Sequence, residues 1–248
     1  MAFGVRLGGT GVFAATEVRV QFHEWLALLT GSLTQSVLVV FVWVLDRNAV
    51  PLALIGAMVY SVFLIGQRLL NEAAYVRIDH KLNELYHASP LSPEAYFLGM
   101  AVGMLIAYLP SVLLFVVLLE IVAPLTALAW LVLLAVLTSV WISSSALGYL
   151  ISTLFKDMKT IWPYSSLLTN LFGIVPPVFY SLSAIPAGFQ SYAVIVPTSG
   201  AANLVDMVAN LEPMNAGLAE IAAIALFVEA VGMLLLGLYW ARRSARES

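Results

Sequence analysis

Apolar residues run along this chain in blocks of about 20, separated by short polar stretches. Because about 20 residues of helix cross a hydrocarbon core of about 30 Å, each block predicts one membrane-spanning helix. The predicted fold class is therefore an all-α integral membrane protein. The pattern predicts six transmembrane helices, at residues 26–45, 52–70, 93–119, 125–155, 160–176 and 216–240.

Composition agrees with the pattern. Hydrophobic residues make up 62% and charged residues 10% of the 248 residues, whereas soluble domains are about half apolar and about a quarter charged. The net charge of −3 gives no reason to expect a nucleic-acid partner. The absence of cysteine excludes disulfides and thiolate chemistry.

The stretch before the first predicted span divides into two parts. Residues 1–15 are weakly patterned and are predicted to be a loose tail. In residues 16–25 apolar side chains recur at helical spacing, which predicts a helix lying in the membrane interface. A polar first turn of the span itself is the alternative. The candidate residues of this interfacial helix are Glu17, Arg19, Phe22 and Trp25.

The basic residues predict the orientation. With six spans, ten of the eleven Lys and Arg lie on one side, and only Arg47 lies on the other. By the positive-inside rule, both termini are expected in the cytoplasm. The protein is thus expected to be a multi-pass protein of the cell membrane that contacts lipid directly.

Residues 77–94 form the longest polar interruption before the last predicted spans. Leu82, Leu85 and Tyr86 predict a short amphipathic helix, which Pro90 would end. Ser92 is placed to cap the next helix, with Glu94 in its first turn. The alternative is an ordinary solvated loop.

A second irregular segment, residues 177–215, lies at the opposite side of the predicted topology. Pro176 and Pro177 are expected to stop the fifth span. The apolar run 185–196 is too short to cross a bilayer, which predicts a re-entrant external lid rather than a span. A loop lying on the outer surface is the alternative. The candidate lid residues are Pro176, Pro177, Tyr180 and Phe189.

Polar residues inside the spans are candidates for the substrate path, because such residues are costly in lipid. Glu229 is expected to be protonated or paired, with Gln35, Asn170 or the serines at 143–145 as partners. Substrate contact or proton movement is one interpretation, and helix packing is the other. Gly99, Gly103 and Ala107 are spaced for close helix packing within the chain.

The string KLNELYHASPLSPEAYFLG, followed by a long apolar span, resembles the segment between spans two and three of type-2 ABC-transporter permeases. These are the membrane subunits of drug, lipid and polysaccharide exporters. The order of an interfacial helix, six spans and a Pro-rich external segment extends the resemblance over nearly the whole chain. It implies a single permease domain over residues 1–248 that contains no nucleotide-binding domain.

The resemblance also implies a site. In that family the passage between spans two and three holds a coupling helix that docks on a cytoplasmic ATPase, and the interfacial helix lies near the same ATPase. Two permease chains, identical or related halves, normally face each other around the substrate path. The implied docking positions are Glu84, Leu85, Ala88, Ser89, Pro90, Leu91 and Ser92.

No phosphate-binding GxxxxGK[ST] loop occurs in the chain, so ATP and Mg²⁺ are expected on a separate ATPase and no cofactor on this chain. No catalytic or metal-binding motif stands out, and the chain is not expected to be an enzyme. The alternative function is a proton-coupled secondary transporter that uses Glu229. A membrane-embedded enzyme is a weaker third class.

Overall fold

The computed structural model describes residues 10–12, 14–20, 25–78 and 92–247, with side chains except at 25–32 and 244–247. Every regular element in these ranges is a helix, as the hydrophobic pattern predicts. Residues 10–12 and 14–20 are helical. The longer elements are α1 (Trp25–Leu45), α2 (Val50–Ile78), α3 (Pro93–Val122), α4 (Ala127–Leu154), α5 (Met158–Gly173), α6 (Ala187–Ile195), α7 (Pro197–Val208) and α8 (Ala216–Glu247), with 3-10 turns at Arg47–Ala49 and Leu182–Ala184.

Side-chain caps fix where several helices begin. The Ser92 hydroxyl accepts the backbone N–H of Ala95 at 3.2 Å, and Pro93 takes the first turn of α3. Thr126 caps α4 in the same way. These side chains satisfy amide donors that have no partner within the helix. The start of α3 therefore lies where the sequence predicts it.

Helix α2 is the centre of the bundle and packs against α1, α3, α4, α5 and α7. It is buried almost continuously from Val50 to Val76. Its closest neighbour is α4, and glycines make that approach feasible. A Cβ built on Gly148 would lie 2.0 Å from the carbonyl oxygen of Gly66. The α2–α4 crossing is thus a backbone-to-backbone contact of the small-residue type common in membranes.

In the described ranges, four helical stretches are long and apolar enough to cross a membrane, namely Arg47–Ile78, Pro93–Val122, Ala127–Leu154 and Ala216–Arg243. The described side chains of α1 contribute a shorter apolar stretch, Leu33–Leu45. Helix α5 has only 16 residues, about 24 Å. The predicted count of six spans is therefore not confirmed.

One sequence expectation about the chain's first half is wrong. Residues 10–12 and 14–15, predicted to be loose, are helical. In this helical stretch Ala14 and Glu17 are buried, and a Cβ on Gly103 would meet the Glu17 side chain at 2.6 Å. The helix presents its small and acidic face to α3. The second predicted span, 52–70, ends too early, because α2 continues to Ile78 and holds Arg68 well inside the helix.

The segment predicted as a re-entrant lid contains the helical pair α6–α7, joined at Val196. Helix α7 is buried from Thr198 to Asp206 and packs against α8, α4 and α2. The preceding irregular stretch lies directly on α2, where a Cβ on Gly56 would lie 2.0 Å from the Val178 carbonyl oxygen. Irregular backbone inside a membrane bundle is tolerated when protein covers it in this way.

Candidate functional site

A polar cavity of about 360 Å³ lies between α1, α2, α3 and α5. Its volume is at the lower end of the range for small-molecule sites. Such a cluster of polar side chains is unusual in a chain of this composition. The cavity is lined by Thr34, Gln35, Tyr60, Ser61, Leu64, Gln67, Arg68, Asn71, Tyr108, Ser111, Trp162, Ser165, Ser166 and Thr169.

One face of α2 supplies the largest share of this lining. Ser61, Arg68 and Asn71 recur at three- and seven-residue spacing, which places them on one side of a helix. Tyr60 and Gln67 widen the same stripe. The sequence carried this signal as a helical repeat of polar residues within an apolar span.

The cavity contains hydrogen-bonding groups that nothing in the described protein satisfies. Gln35 Oε1, Asn71 Oδ1 and Ser165 Oγ are buried and have no hydrogen-bond partner. An unsatisfied buried polar atom costs about 1–3 kcal/mol. The Arg68 guanidinium lies over the Tyr108 ring, 5.9 Å from its centroid, in a cation–π contact. The described side chains that line the cavity therefore carry unsatisfied oxygens, further hydroxyls and one cation.

The three predicted intramembrane polar residues do not share one site. Gln35 lines the cavity, whereas Asn170 is exposed on α5 beside the lining residue Thr169. Glu229 is half-buried on α8, outside the cavity lining, and its Oε2 is buried without a partner.

The predicted partners of Glu229 are also dispersed. Helix α8 packs mainly against α4, α7, α6 and α3, whereas Gln35 and Asn170 lie on α1 and α5. On α4, the hydroxyls of Ser143 and Ser144 donate to carbonyls of their own helix. Ser145 Oγ is buried with no partner.

Most of the predicted ATPase-docking positions, Glu84 to Leu91, lie outside the described residues, and Ser92 is the α3 cap. The flanks of the passage are described. On one flank the Arg77 guanidinium donates to the carbonyls of Ser152, Thr153 and Phe155. It therefore occupies the C-terminus of α4, where a cation is favoured by the helix dipole.

On the other flank, Glu94 in the first turn of α3 forms an ion pair with Arg242 near the end of α8. On each side of residues 79–91, a charged side chain thus contacts another helix. Arg77 ties the end of α2 to α4, and Glu94 ties the start of α3 to α8. We call these two contacts the passage anchors.

The interfacial helix is described only in part. Arg19 is exposed and Glu17 is buried. Phe22 lies outside the described residues, and Trp25 is the first residue of α1, with its side chain outside them.

The predicted lid residues fall into two groups. Pro176 and Pro177 are buried after the end of α5, and the Asn203 amide donates to the Pro177 carbonyl at 2.9 Å. Tyr180 and Phe189 are exposed, although the Tyr180 hydroxyl donates to the Val175 carbonyl at 2.6 Å.

A buried acidic residue lies close to this segment. Asp206 on α7 is 3% exposed and its Oδ1 has no partner. Burial first, and the neighbouring Glu212 carboxylate second, raise the pKa of Asp206 well above its ordinary value of 3.8. Glu212 in turn accepts hydrogen bonds from the Ser181 hydroxyl and the Ser183 amide.

Among the described residues, no group of three or more His, Asp or Glu side chains is placed to hold a metal ion. The buried polar groups are arranged for hydrogen bonding in a cavity and for anchoring helix ends.

Comparison with known proteins identifies a family. A family model described as ABC-2 type transporter matches residues 14–208. No curated protein matches the sequence. The matched range includes the cavity, the residues between the passage anchors and the pair α6–α7.

Proposed function

The chain belongs to the ABC-2 type transporter family, and we propose that it is the permease of an exporter driven by a separate ATPase subunit. Members of this family are membrane-embedded transport subunits that pair with an ATPase and are not themselves catalytic. In the proposal, the ATPase binds ATP and Mg²⁺, and this chain binds no cofactor. The cargo is a drug-like molecule, a lipid or a glycan.

The family match over residues 14–208 carries the proposal, and the passage anchors support it. A push on residues 79–91 would reach α4 through Arg77 and α8 through Glu94 and Arg242. A coupling helix docked at Glu84, Leu85 and Leu91 would then move two helix pairs together. Alternating access to the cavity follows if these pairs separate first at one end and then at the other.

We propose that the chain crosses the membrane six times. Helix α1 has 21 residues, enough for one crossing. Helix α5 needs the buried irregular stretch around Pro176 and Pro177 to complete its path, which protein contacts permit. Six crossings place both termini on the side that is rich in Lys and Arg, the cytoplasm.

A second permease chain, identical or related, would complete the path. Helix α5 buries Ser165 and Thr169 but exposes Leu167 and Leu171. Its polar face lines the cavity, so an apolar partner on its other face would enclose the site. Lipid covers that face in the absence of a second chain.

The decisive experiment is co-purification from the native membrane, with the bound chains identified by mass spectrometry. We expect an ATPase to co-purify with the wild-type chain and to be lost from the Glu84→Arg, Leu91→Asp double variant. The reason is that reversing a charge and burying a carboxylate disrupt a docked helix.

A matched control carries the same charge changes at two exposed positions near the start of α8, in the Glu220→Arg, Pro213→Asp double variant. The ATPase should co-purify with this control as with the wild type. Absence of any ATPase from the wild type in several detergents would refute the proposal.

Glu229 supports the alternative function of a proton-coupled transporter, because its Oε2 is buried without a partner within a span. That alternative requires transport by the chain alone in liposomes, driven by a pH gradient and lost in Glu229→Gln. The exporter requires ATP and the ATPase subunit.

A further inference from the structure

The cavity lining is selective in charge. Among the described residues that line it, there is one cation, Arg68, and no acidic residue. A cationic amphiphile would find no counter-charge in this lining, and cations are costly to desolvate without one. Neutral or anionic ligands remain.

The buried oxygens of the lining specify the complementary chemistry. Gln35 Oε1 and Asn71 Oδ1 are amide oxygens, which only accept hydrogen bonds, so a ligand must supply donors. Ser165 Oγ can accept or donate. Protein shields these three atoms from the cavity, so a small side-chain rotation must accompany binding.

Flat aromatic side chains stand beside these polar groups. Tyr60, Tyr108 and Trp162 line the same cavity. Aromatic rings bury apolar area while neighbouring polar groups form hydrogen bonds. A ring of carbons that carries hydroxyls on its edge matches both features.

From these observations we infer that the cavity binds a hydroxyl-rich headgroup, as carried by a sugar or a glycolipid, through Gln35, Asn71 and Ser165. The exposed apolar face of α5, with Leu167 and Leu171, lies beside the cavity and favours the glycolipid, whose acyl chains can follow it. The role of this ligand as cargo rests on the proposed function, whereas binding does not require the ATPase.

The test uses purified wild-type chain in an amine-oxide detergent, because alkyl maltosides themselves carry sugars. Digalactosyl diacylglycerol, free galactose and phosphatidylcholine are each titrated while the thermal unfolding temperature is followed. We expect the galactolipid to raise that temperature, galactose to do so only at far higher concentration, and phosphatidylcholine to have no effect.

The Gln35→Leu, Asn71→Leu double variant separates this site from general lipid binding. Without added lipid it should unfold at a higher temperature, because two unsatisfied amide oxygens are removed. Its affinity for the galactolipid should fall by roughly tenfold or more, as expected for two lost hydrogen bonds. Asn170→Leu, which removes an exposed amide outside the lining, should bind as the wild type does.

Equal binding by the double variant and the wild type, or an equal response to phosphatidylcholine, would overturn the inference. So would a wild type that ignores both sugar probes. Co-purification of the ATPase with the double variant is scored separately. An ATPase retained without sugar binding defeats this inference alone, and sugar binding without an ATPase defeats the proposed function alone.

Discussion

Gly148 packs directly against the backbone of α2, since a Cβ there would lie 2.0 Å from the Gly66 carbonyl oxygen. Backbone cannot rotate away as a flexible side chain can. Gly148→Ala should therefore force α2 and α4 apart and destabilise the protein by about 1–3 kcal/mol, the usual cost of overpacking. Thermal unfolding in detergent measures it.

The matched control for this change is Gly232→Ala on α8, where nothing lies within 4 Å of the added Cβ. The same substitution in open space should be neutral or stabilising by up to about 1 kcal/mol, since alanine is the better helix former. A loss of stability equal to that of Gly148→Ala would show that the crossing is not tight.

Asp206 makes stability depend on pH in a defined direction. Burial and Glu212 raise the pKa of Asp206 in the folded state, so the folded protein binds this proton more tightly than the unfolded chain. The contribution of protonated Asp206 to the free energy of unfolding is complete below pH 3.8, the ordinary pKa of aspartate, and is lost as pH rises through the folded-state pKa. Asp206→Asn should remove this loss and stabilise the protein at neutral pH.

Unfolding measured across pH 4 to 8 checks this prediction. The same substitution at exposed Asp46 is the control, because asparagine also caps the following 3-10 turn. An Asp206→Asn protein whose stability still falls with pH as steeply as the wild type would contradict the assignment.

At the scale of helices, the ion pair between α3 and α8 is expected to serve transmission more than stability. Arg242 has a 62% exposed side chain, so the pair is worth less than about 1 kcal/mol. Arg242→Glu should leave folding and ATPase docking intact while weakening the response of the bundle to ATP. The swap Glu94→Arg, Arg242→Glu should restore that response.

The cysteine-free sequence allows this to be measured without knowing the cargo. A single cysteine introduced as Ser166→Cys places a thiol at an exposed position of the cavity lining. In the complex with the ATPase, ATP addition should change the rate of thiol labelling in the wild-type background. The change should be smaller in Arg242→Glu and should return in the charge swap. A response to ATP in Arg242→Glu that equals the wild-type response would exclude transmission through this anchor.

For the whole molecule, the sequence predicts best where one signal dominates. Long apolar runs located α3, α4 and α8, and Ser92 with Pro93 fixed the start of α3. The run at 160–176 also located α5, whereas the burial of α7 was beyond this reasoning, because α7 mixes polar and apolar residues and has no continuous apolar run. How this part of the chain packs depends on tertiary contacts such as Val178 on Gly56.

The candidate site was predicted only in part for a similar reason. Gln35 stood out because it is polar within an apolar run. Arg68 and Asn71 did not, because a charge near the end of an apolar run looks like the start of a loop. Only the continuation of α2 to Ile78 shows that they share a face with Ser61.

The polar stripe of α2 covers Tyr60 to Asn71, about 16 Å along the helix and roughly half the hydrocarbon thickness. The preceding two turns of this helix, from Ala53 to Val59, are apolar and buried. A hydroxylated cargo would thus replace its water with protein hydrogen-bond partners over one half of its route. Only in the other half would it lose water without gaining such partners. We expect this apolar half to limit leakage, so Met58→Ser should make the protein more permissive than any change within the cavity.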